Sequence, residues 1–410
     1  MTVVAGGRAP ARPQLIRAMN EQLLLDHIRR GGKLSRAELA RISHLSKPTV
    51  SLALTNLERA GLVRPSGVRT GSPGPAALLY EVRPEAGYIL ALDVGALFLR
   101  GAIGDVSGRI RARDSIKTRA VDGHGRVAEL IQLADRLCAQ LPISFADITQ
   151  TVLGSPGVYD PRRDALGLAG PLVGWDKPDV LAELREAFGA SLMLENDVDA
   201  AALAEQVHGH GQNIDSFAFV SVGTGIGLGL VLGGQLHRGA HGAAGEIGYL
   251  PLGSGHPSDA RDARKRGSLE ASASAAGIVR AARRAGIRGV TSARQVFAAA
   301  EAGDERASRV VADEAALVAK AMCSIMAVAD PELIVLGGGI GQAEGLLEAV
   351  EREVRRHSPI PPELRVSALG ADAVVDGCLA AGIDRAWGVL TATVAPAAGE
   401  TSGESAAGLH

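Results

Sequence analysis

Two stretches, "YILALDVGALFLRGAIGDVSGRI" at 88–110 and "FAFVSVGTGIGLGLVLGGQLHRG" at 217–239, follow one plan: apolar strand, Gly turn, apolar strand, Gly turn, third strand. Such a layout met twice in one chain predicts an internal duplication. After the first come a helical pattern over 127–140, a strand ending at "TVLGSPGV", a helix over 180–188 and a strand "SLMLEND". After the second come helical segments through Ala329, a strand "ELIVLGGGI" and a helix from Glu344. Strands alternating with helices predict an α/β body with a largely covered sheet in each of two lobes, and a cleft between them.

The polar residues of this apolar body gather at strand ends and Gly turns, where α/β folds place ligands. In "LENDVDAAALAE" a strand ends on Glu195, Asn196 and Asp197 before a small-residue helix. A carboxylate there accepts a hydroxyl proton and a carboxamide holds a second hydroxyl, and either residue also suits the helix cap. "GAAGEIGYLPL" sets Glu246 and Tyr249 on a Gly-rich turn, and "GSLEASAS" sets Glu270 before a helix. In "GTGIGLG", Gly223, Thr224, Gly225 and Gly227 let main-chain amides approach a phosphate, and "GGGIG" at 337–341 has the same capacity. Tight turns and close packing account equally well for these glycines. "DVGALF" starts like a phosphate-gripping turn, with Asp93 and Gly95, and continues with Ala96, Leu97 and Phe98, which have no side-chain donors for a transferring phosphoryl group.

The first 82 residues are of another kind. They hold 12 Lys and Arg against 5 Asp and Glu in a chain whose net charge is −2, so a basic head precedes an acidic body, and a polyanion is its expected partner. Within it, Ser35 and Glu38 form an S-x-x-E capping box that starts a helix with Leu39 and Ile42 on its inner face. "SHL" makes a turn, Ser46 caps a second helix with Pro48 in its first turn, and Val50, Leu54 and Leu57 form its apolar stripe. The outer face then carries Ser46, Lys47, Thr49, Ser51, Thr55 and Asn56, a set suited to phosphates and base edges in a major groove. A helix from Arg17 completes a three-helix core, and "GLVRPSGVRTGSPGPAALLYEV" supplies strand, turn and strand. The pattern predicts a winged helix-turn-helix over 14–82, behind a disordered start at 1–13. A disordered tail is expected over 395–410.

Some classes are disfavoured. Cys138, Cys323 and Cys378 lie far apart, which predicts reduced thiols rather than a disulfide framework or a metal knuckle. The pairs His208/His210 and His237/His241 have no carboxylate or thiol partner nearby in sequence, so no metal and no cofactor are expected. No secretory h-region and no membrane-length apolar run is present, which points to the cytoplasm and away from a membrane.

In their order, "GSPGVYD" at 154–160, "ENDVDAAALAE", "GTGIGLG", "GAAGEIGY", "GSLE" and "DPELIVLGGGIG" from Asp330 resemble the ROK family of sugar kinases and sugar-responsive repressors. The resemblance implies an actin-like body over 86–394, two lobes of duplicated ribonuclease-H-like fold. It implies sugar-hydroxyl contacts by Asn196, Asp197, Glu246 and Glu270, with Asp197 in the place of the kinase general base and Tyr249 where many relatives have a ligand-contacting His. Those relatives also carry three cysteines before the "LE" dipeptide that bind structural zinc, whereas "SGHPSDARDARKRGSLE" has none. The basic head resembles the repressor branch. The implied protein is a non-catalytic regulator, a homodimer or homotetramer on pseudo-palindromic operator DNA, answering to a sugar or sugar phosphate. The alternative is an ATP-dependent sugar kinase with an accessory DNA-binding head.

Overall fold

The computed structural model describes residues 13–69, 76–170, 172–189 and 191–392. The segments expected to be disordered lie outside the described residues, apart from Pro13, as does the turn of the wing at 70–75. The chain divides into two compact units: Ile89–Gly104 with Ile110–Ile383 form one, and the residues before, between and after them form the other.

The smaller unit begins with α1 (Pro13–Gly31), four residues earlier than the apolar pattern alone indicates. There follow β1 (Leu34–Ser35), α2 (Arg36–Ser43), α3 (Lys47–Arg59), β2 (Val63–Arg69) and β3 (Ala77–Val82), with strand order β1-β3-β2. The capping box forms: the Ser35 amide donates to Glu38 Oε2 at 2.9 Å and the Glu38 amide to Ser35 Oγ at 3.3 Å. Those Ser35 bonds, with the Arg69 guanidinium, hold the Glu38 carboxyl down at about 2. His44 takes a left-handed φ of 57°, which ends α2, and Ser46 caps α3 by accepting from the Thr49 amide. Leu24, Leu25, Ile28, Leu39, Val50, Leu54 and Leu57 are buried and make the three-helix core. Each contributes roughly 1.5–3 kcal/mol by its burial. Arg69, a residue of the wing, pairs with Glu38. A cavity of about 190 Å³ lies in this unit, and Glu21, the charged residue among its described lining, already accepts from Asn56.

The larger unit carries the duplication. Its first lobe contains β4 (Tyr88–Val94), β5 (Phe98–Asp105), β6 (Ile110–Lys117), α4 (Gly123–Cys138), β7 (Ile148–Ser155), a hairpin of β8 (Val158–Asp160) and β9 (Ala165–Gly167), α5 (Pro178–Phe188) and β10 (Met193–Asn196). Next come α6 (Asp197–His208), β11 (Phe217–Val222), β12 (Ile226–Leu232) and β13 (Gln235–Leu236). The second lobe continues through α7 (Ala260–Arg266), α8 (Ser268–Ala273), α9 (Ala275–Arg284), α10 (Ala293–Glu301) and α11 (Glu305–Ala329). It closes with β14 (Leu333–Gly337), α12 (Gly338–Gly341), α13 (Leu346–His357), β15 (Glu363–Val366) and the first half of α14 (Ala373–Ala392), whose residues from Asp384 on belong to the smaller unit.

The two sheets have orders β6-β5-β4-β7-β10 and β13-β12-β11-β14-β15. Counted within its own sheet, each reads third, second, first, fourth, fifth, so the repeated hairpins seed one topology twice. The first three strands run antiparallel as a meander, and the later ones join in parallel, as β7 with β10 and β11 with β14 do. Interior β14 is buried at every position, as a strand covered on both faces must be. The copies differ in their third strand, eight residues in β6 and two in β13.

"GGGIG" departs from the expected strand. Gly338 turns the chain into the single helical turn α12 at φ 79°, where a Cβ would stand 2.4 Å from the Val222 carbonyl oxygen. No side chain fits there, which explains the glycine. Among the described residues no helix is long and apolar enough to cross a membrane. Cys138 and Cys378 are buried and Cys323 is half-buried, all as free thiols.

Candidate functional site

The fold brings the end of β10, the start of α6, the end of β4, the turn before Tyr249 and the start of α8 into one electrostatic neighbourhood. Asn196 caps α6, accepting from the amides of Val198 at 2.9 Å and Asp199 at 3.1 Å, while its Nδ2 donates to the Gly157 carbonyl at 3.0 Å. Its amide is therefore fixed in orientation, and one N–H remains for a ligand. Asp197 follows at the first helical position and accepts from the Val198 amide at 2.9 Å. Burial lifts its carboxyl to about 6 against the pull of that amide.

The other carboxyls feel Asp197. Glu246 rises to about 7, first through burial and then through the charges of Asp197 and Glu270. Glu270 is raised by burial, opposed by the Ile226 amide that donates to it at 3.2 Å and by Arg266. Asp93 is lifted to about 7 by burial and by Asp197, with Arg100 opposing. Burial and the like charge of Asp197 thus tie Asp93 on β4 to the start of α6. Carboxyls held near neutral pH both donate and accept hydrogen bonds, which suits a ligand made of hydroxyls.

Tyr249 stands apart from the enclosed residues: it is 44% exposed, and its hydroxyl donates to the Lys265 carbonyl at 3.4 Å. It lies close enough to Glu246 and Glu270 for their charges, after burial, to raise its phenol.

The Gly turns have definite shapes. Gly95 donates to the Phe98 carbonyl at 3.1 Å, and a Cβ on it would meet that oxygen at 2.6 Å. The hairpin keeps the tight turn while exposing Leu97 and Phe98, 65% and 40% respectively. In the second lobe Gly223 donates to the Gly225 carbonyl at 2.9 Å and Thr224 is exposed. Gly225 faces Glu270 and Gly227 faces Val198, so these two glycines serve close packing around the carboxyls.

Three participants escape the motif reading. Arg100 lies 3.3 Å from Asp93 Oδ2 and over the Phe98 ring, so the first hairpin does have a donor, two residues beyond Phe98. Arg238 makes a bidentate pair with buried Glu195, its Nε at 3.1 Å. Asp199 is 3% exposed, has an Oδ1 without a partner, and is pushed to about 8 by burial and then by Glu195, with Arg238 opposing. The D-x-D spacing in "ENDVDAA" was the available sign of Asp199. Nothing local marks either arginine. Both guanidiniums are already paired with carboxylates.

On α3 the expected outer face is partly rearranged. Lys47 and Thr55 are exposed, and Thr49 and Ser51 are half-buried. Asn56 is half-buried as well, and its Nδ2 donates to Oε1 of buried Glu21 on α1 at 2.6 Å, so its amide is engaged within the head rather than left free for a base. Leu52, 51% exposed, takes a place on the outer face that the polar-residue reading passes over.

The run without cysteines is organised by Asp259, which is buried and accepts from Ser254 Oγ at 2.6 Å, Arg280 Nε at 3.0 Å and Arg284 at 3.1 Å. Among the described residues no group of three or more His, Cys, Asp or Glu is arranged to hold a metal.

Comparison with known proteins adds to this geometry. The sequence pattern of the ROK family matches residues 89–380, and that of the MarR family residues 20–71. The bifunctional enzyme NanE/NanK of Brucella suis biovar 1 (strain 1330) is 40% identical over 230 residues, 53% of this chain and 42% of the enzyme. The chain thus spans less than half the length of that relative. A xylose repressor of Caldicellulosiruptor bescii is 22% identical over 384 residues, 89% of this chain and 96% of the repressor. Among solved structures, a ROK family transcriptional regulator homologous to the E. coli MLC protein superposes with a TM-score of 0.72 at 24% identity, over 93% of this chain and 99% of that one.

Proposed function

Because this chain belongs to the ROK family, we propose that it is a sugar-responsive transcriptional regulator of the repressor type, acting in the cytoplasm as a homodimer or homotetramer. In this reading α3 enters the major groove of a pseudo-palindromic operator, with Lys47 on phosphate and the outer residues of the helix on bases. A sugar or sugar phosphate sits among Asn196, Asp197, Glu246 and Glu270, and lobe closure on it changes the affinity for DNA. A ligand shifts such an equilibrium only by binding one state better than the other.

The observation that carries the reading is the pairing of a capped, basic winged helix-turn-helix with the carboxyl-lined body in one chain. The rival, a sugar kinase, draws support from the NanE/NanK similarity and from Asp197 at its helix start. Two features weigh against it. Exposed Leu97 and Phe98 stand where phosphoryl oxygens need donors, and the Arg100 charge beside them is taken up by Asp93. Arg100, Arg238 and Arg266 each already face a carboxyl of this neighbourhood, Asp93, Glu195 and Glu270 respectively, so none stands by to balance a triphosphate.

The test uses the full chain. Duplexes are selected from a random library, thermal shift is scanned over sugars and their phosphates, and each stabilising sugar is assayed both for operator release and for coupled ATP turnover. A sugar that stabilises the protein and alters operator affinity without turnover supports the regulator. Turnover at rates ordinary for sugar kinases, with no selected duplex, overturns it.

A further inference from the structure

The outer face of α3 is poor in free hydrogen-bonding groups. Ser46 Oγ and Thr49 Oγ1 bond each other at 2.8 Å, so one of their two hydroxyl protons is committed there, and Ser46 also accepts from the Thr49 amide. Thr55 Oγ1 donates to the Ser51 carbonyl at 2.9 Å, and Asn56 donates to Glu21. No side chain of Asn or Gln type is left on this face to make the two-pronged contact that identifies adenine, and Lys47 alone offers a cation at its start.

What does face outward is apolar at its centre. Positions 48, 52, 55 and 59 fall on one line of a helix. There Pro48, Leu52, Thr55 and Arg59 are all exposed, Leu52 to 51%. With its hydroxyl bonded back to the helix, Thr55 has its methyl group left to offer. Across the major groove, only thymine presents a methyl group.

We propose that α3 reads its operator chiefly through thymine methyl groups, with Leu52 and the Thr55 methyl packed against them and Lys47 and Arg59 holding phosphates on either side. The proposal rests on the reading of α3 as the DNA-contacting helix and adds what that helix selects.

The test is made on the full-length protein with the duplex it selects from a random library. Each thymine of a half-site is replaced by deoxyuridine, which removes the methyl and keeps every hydrogen-bonding group. Affinities are measured for the wild type and for Leu52→Ala, an exposed position whose truncation leaves the core intact; circular dichroism checks that both proteins are folded. At one or two positions the replacement should weaken wild-type binding about fourfold, the worth of one buried methyl. Leu52→Ala should bind the thymine duplex several-fold more weakly and respond little to deoxyuridine at those positions, because the two changes remove the same contact. Equal wild-type affinity for thymine and deoxyuridine duplexes, or undiminished sensitivity in Leu52→Ala, overturns the proposal and leaves the DNA-binding reading standing. Failure to select any duplex overturns both.

Discussion

Asn56→Ala separates a structural role from a reading role at one position. The Asn56 Nδ2 donates to Glu21 Oε1 at 2.6 Å, and Glu21 is 8% exposed, so the bond ties α3 to α1 inside the head. Truncation leaves a buried carboxylate without that donor. A hydrogen bond to a charged group contributes roughly 1.5–3 kcal/mol, and the loss falls on the contact between the two helices. Hydrogen–deuterium exchange on the full chain measures it locally, since amides of α1 and α3 exchange through opening of this unit. The change should speed that exchange about 10- to 100-fold, at roughly 1.4 kcal/mol per factor of ten, with amides of the larger unit unaffected. Operator affinity should fall to the same degree as affinity for random duplex, because the fraction of folded head limits both. Unchanged exchange together with a loss confined to the selected operator would refute this reasoning, and would mean that Asn56 leaves Glu21 and reads a base.

Four further outcomes are expected. Glu314 on α11 is 3% exposed, its Oε1 lacks a partner, and burial pushes its carboxyl well above 4.5. The folded chain keeps a proton that the unfolded chain releases, so the resulting instability is absent below pH 4.5 and grows as pH rises toward the raised value. Glu314→Gln should therefore gain stability over the wild type in urea unfolding, more at pH 8 than at pH 5, and a difference independent of pH contradicts the assignment. Arg238→Gln strands the Glu195 carboxylate, whose side chain is 4% exposed, beside Asp199; it should cost about 2 kcal/mol, less than for a fully enclosed pair because Arg238 is half exposed, and adding Glu195→Gln should restore most of the loss. Asp197→Asn should weaken the thermal-shift response to the effector sugar about tenfold or more, at roughly 1.5–3 kcal/mol per charge-assisted bond, while operator binding without sugar stays unchanged. Elemental analysis should find far less than one zinc per chain, since the Asp259 hydrogen bonds and ion pairs organise the run without cysteines; one tightly held zinc per chain would redirect attention to the histidine pairs.

Features encoded within a few residues were legible before any coordinates. The capping box of Ser35 and Glu38, the Ser46 cap, and the buried stripe Val50, Leu54, Leu57 follow from local hydrogen bonding and helical period, which operate over three or four residues. The repeated hairpins likewise announced two lobes of one topology, since each apolar meander carries its own register. Tertiary structure decided who faces whom. Asn56 looks like a base reader until Glu21, 35 residues earlier, receives its amide. Glu195 looks like a ligand carboxylate until Arg238, 43 residues later, pairs with it. Asp93 finds Arg100 across a turn, and the carboxyls of Asp93, Asp197, Asp199 and Glu246 rise to between about 6 and 8 because burial removes water and, for all but Asp197, because folding sets like charges beside them. Caps and periodicity depend on neighbours along the chain, whereas desolvation and Coulomb coupling depend on distance in space, and only the packed fold determines that distance.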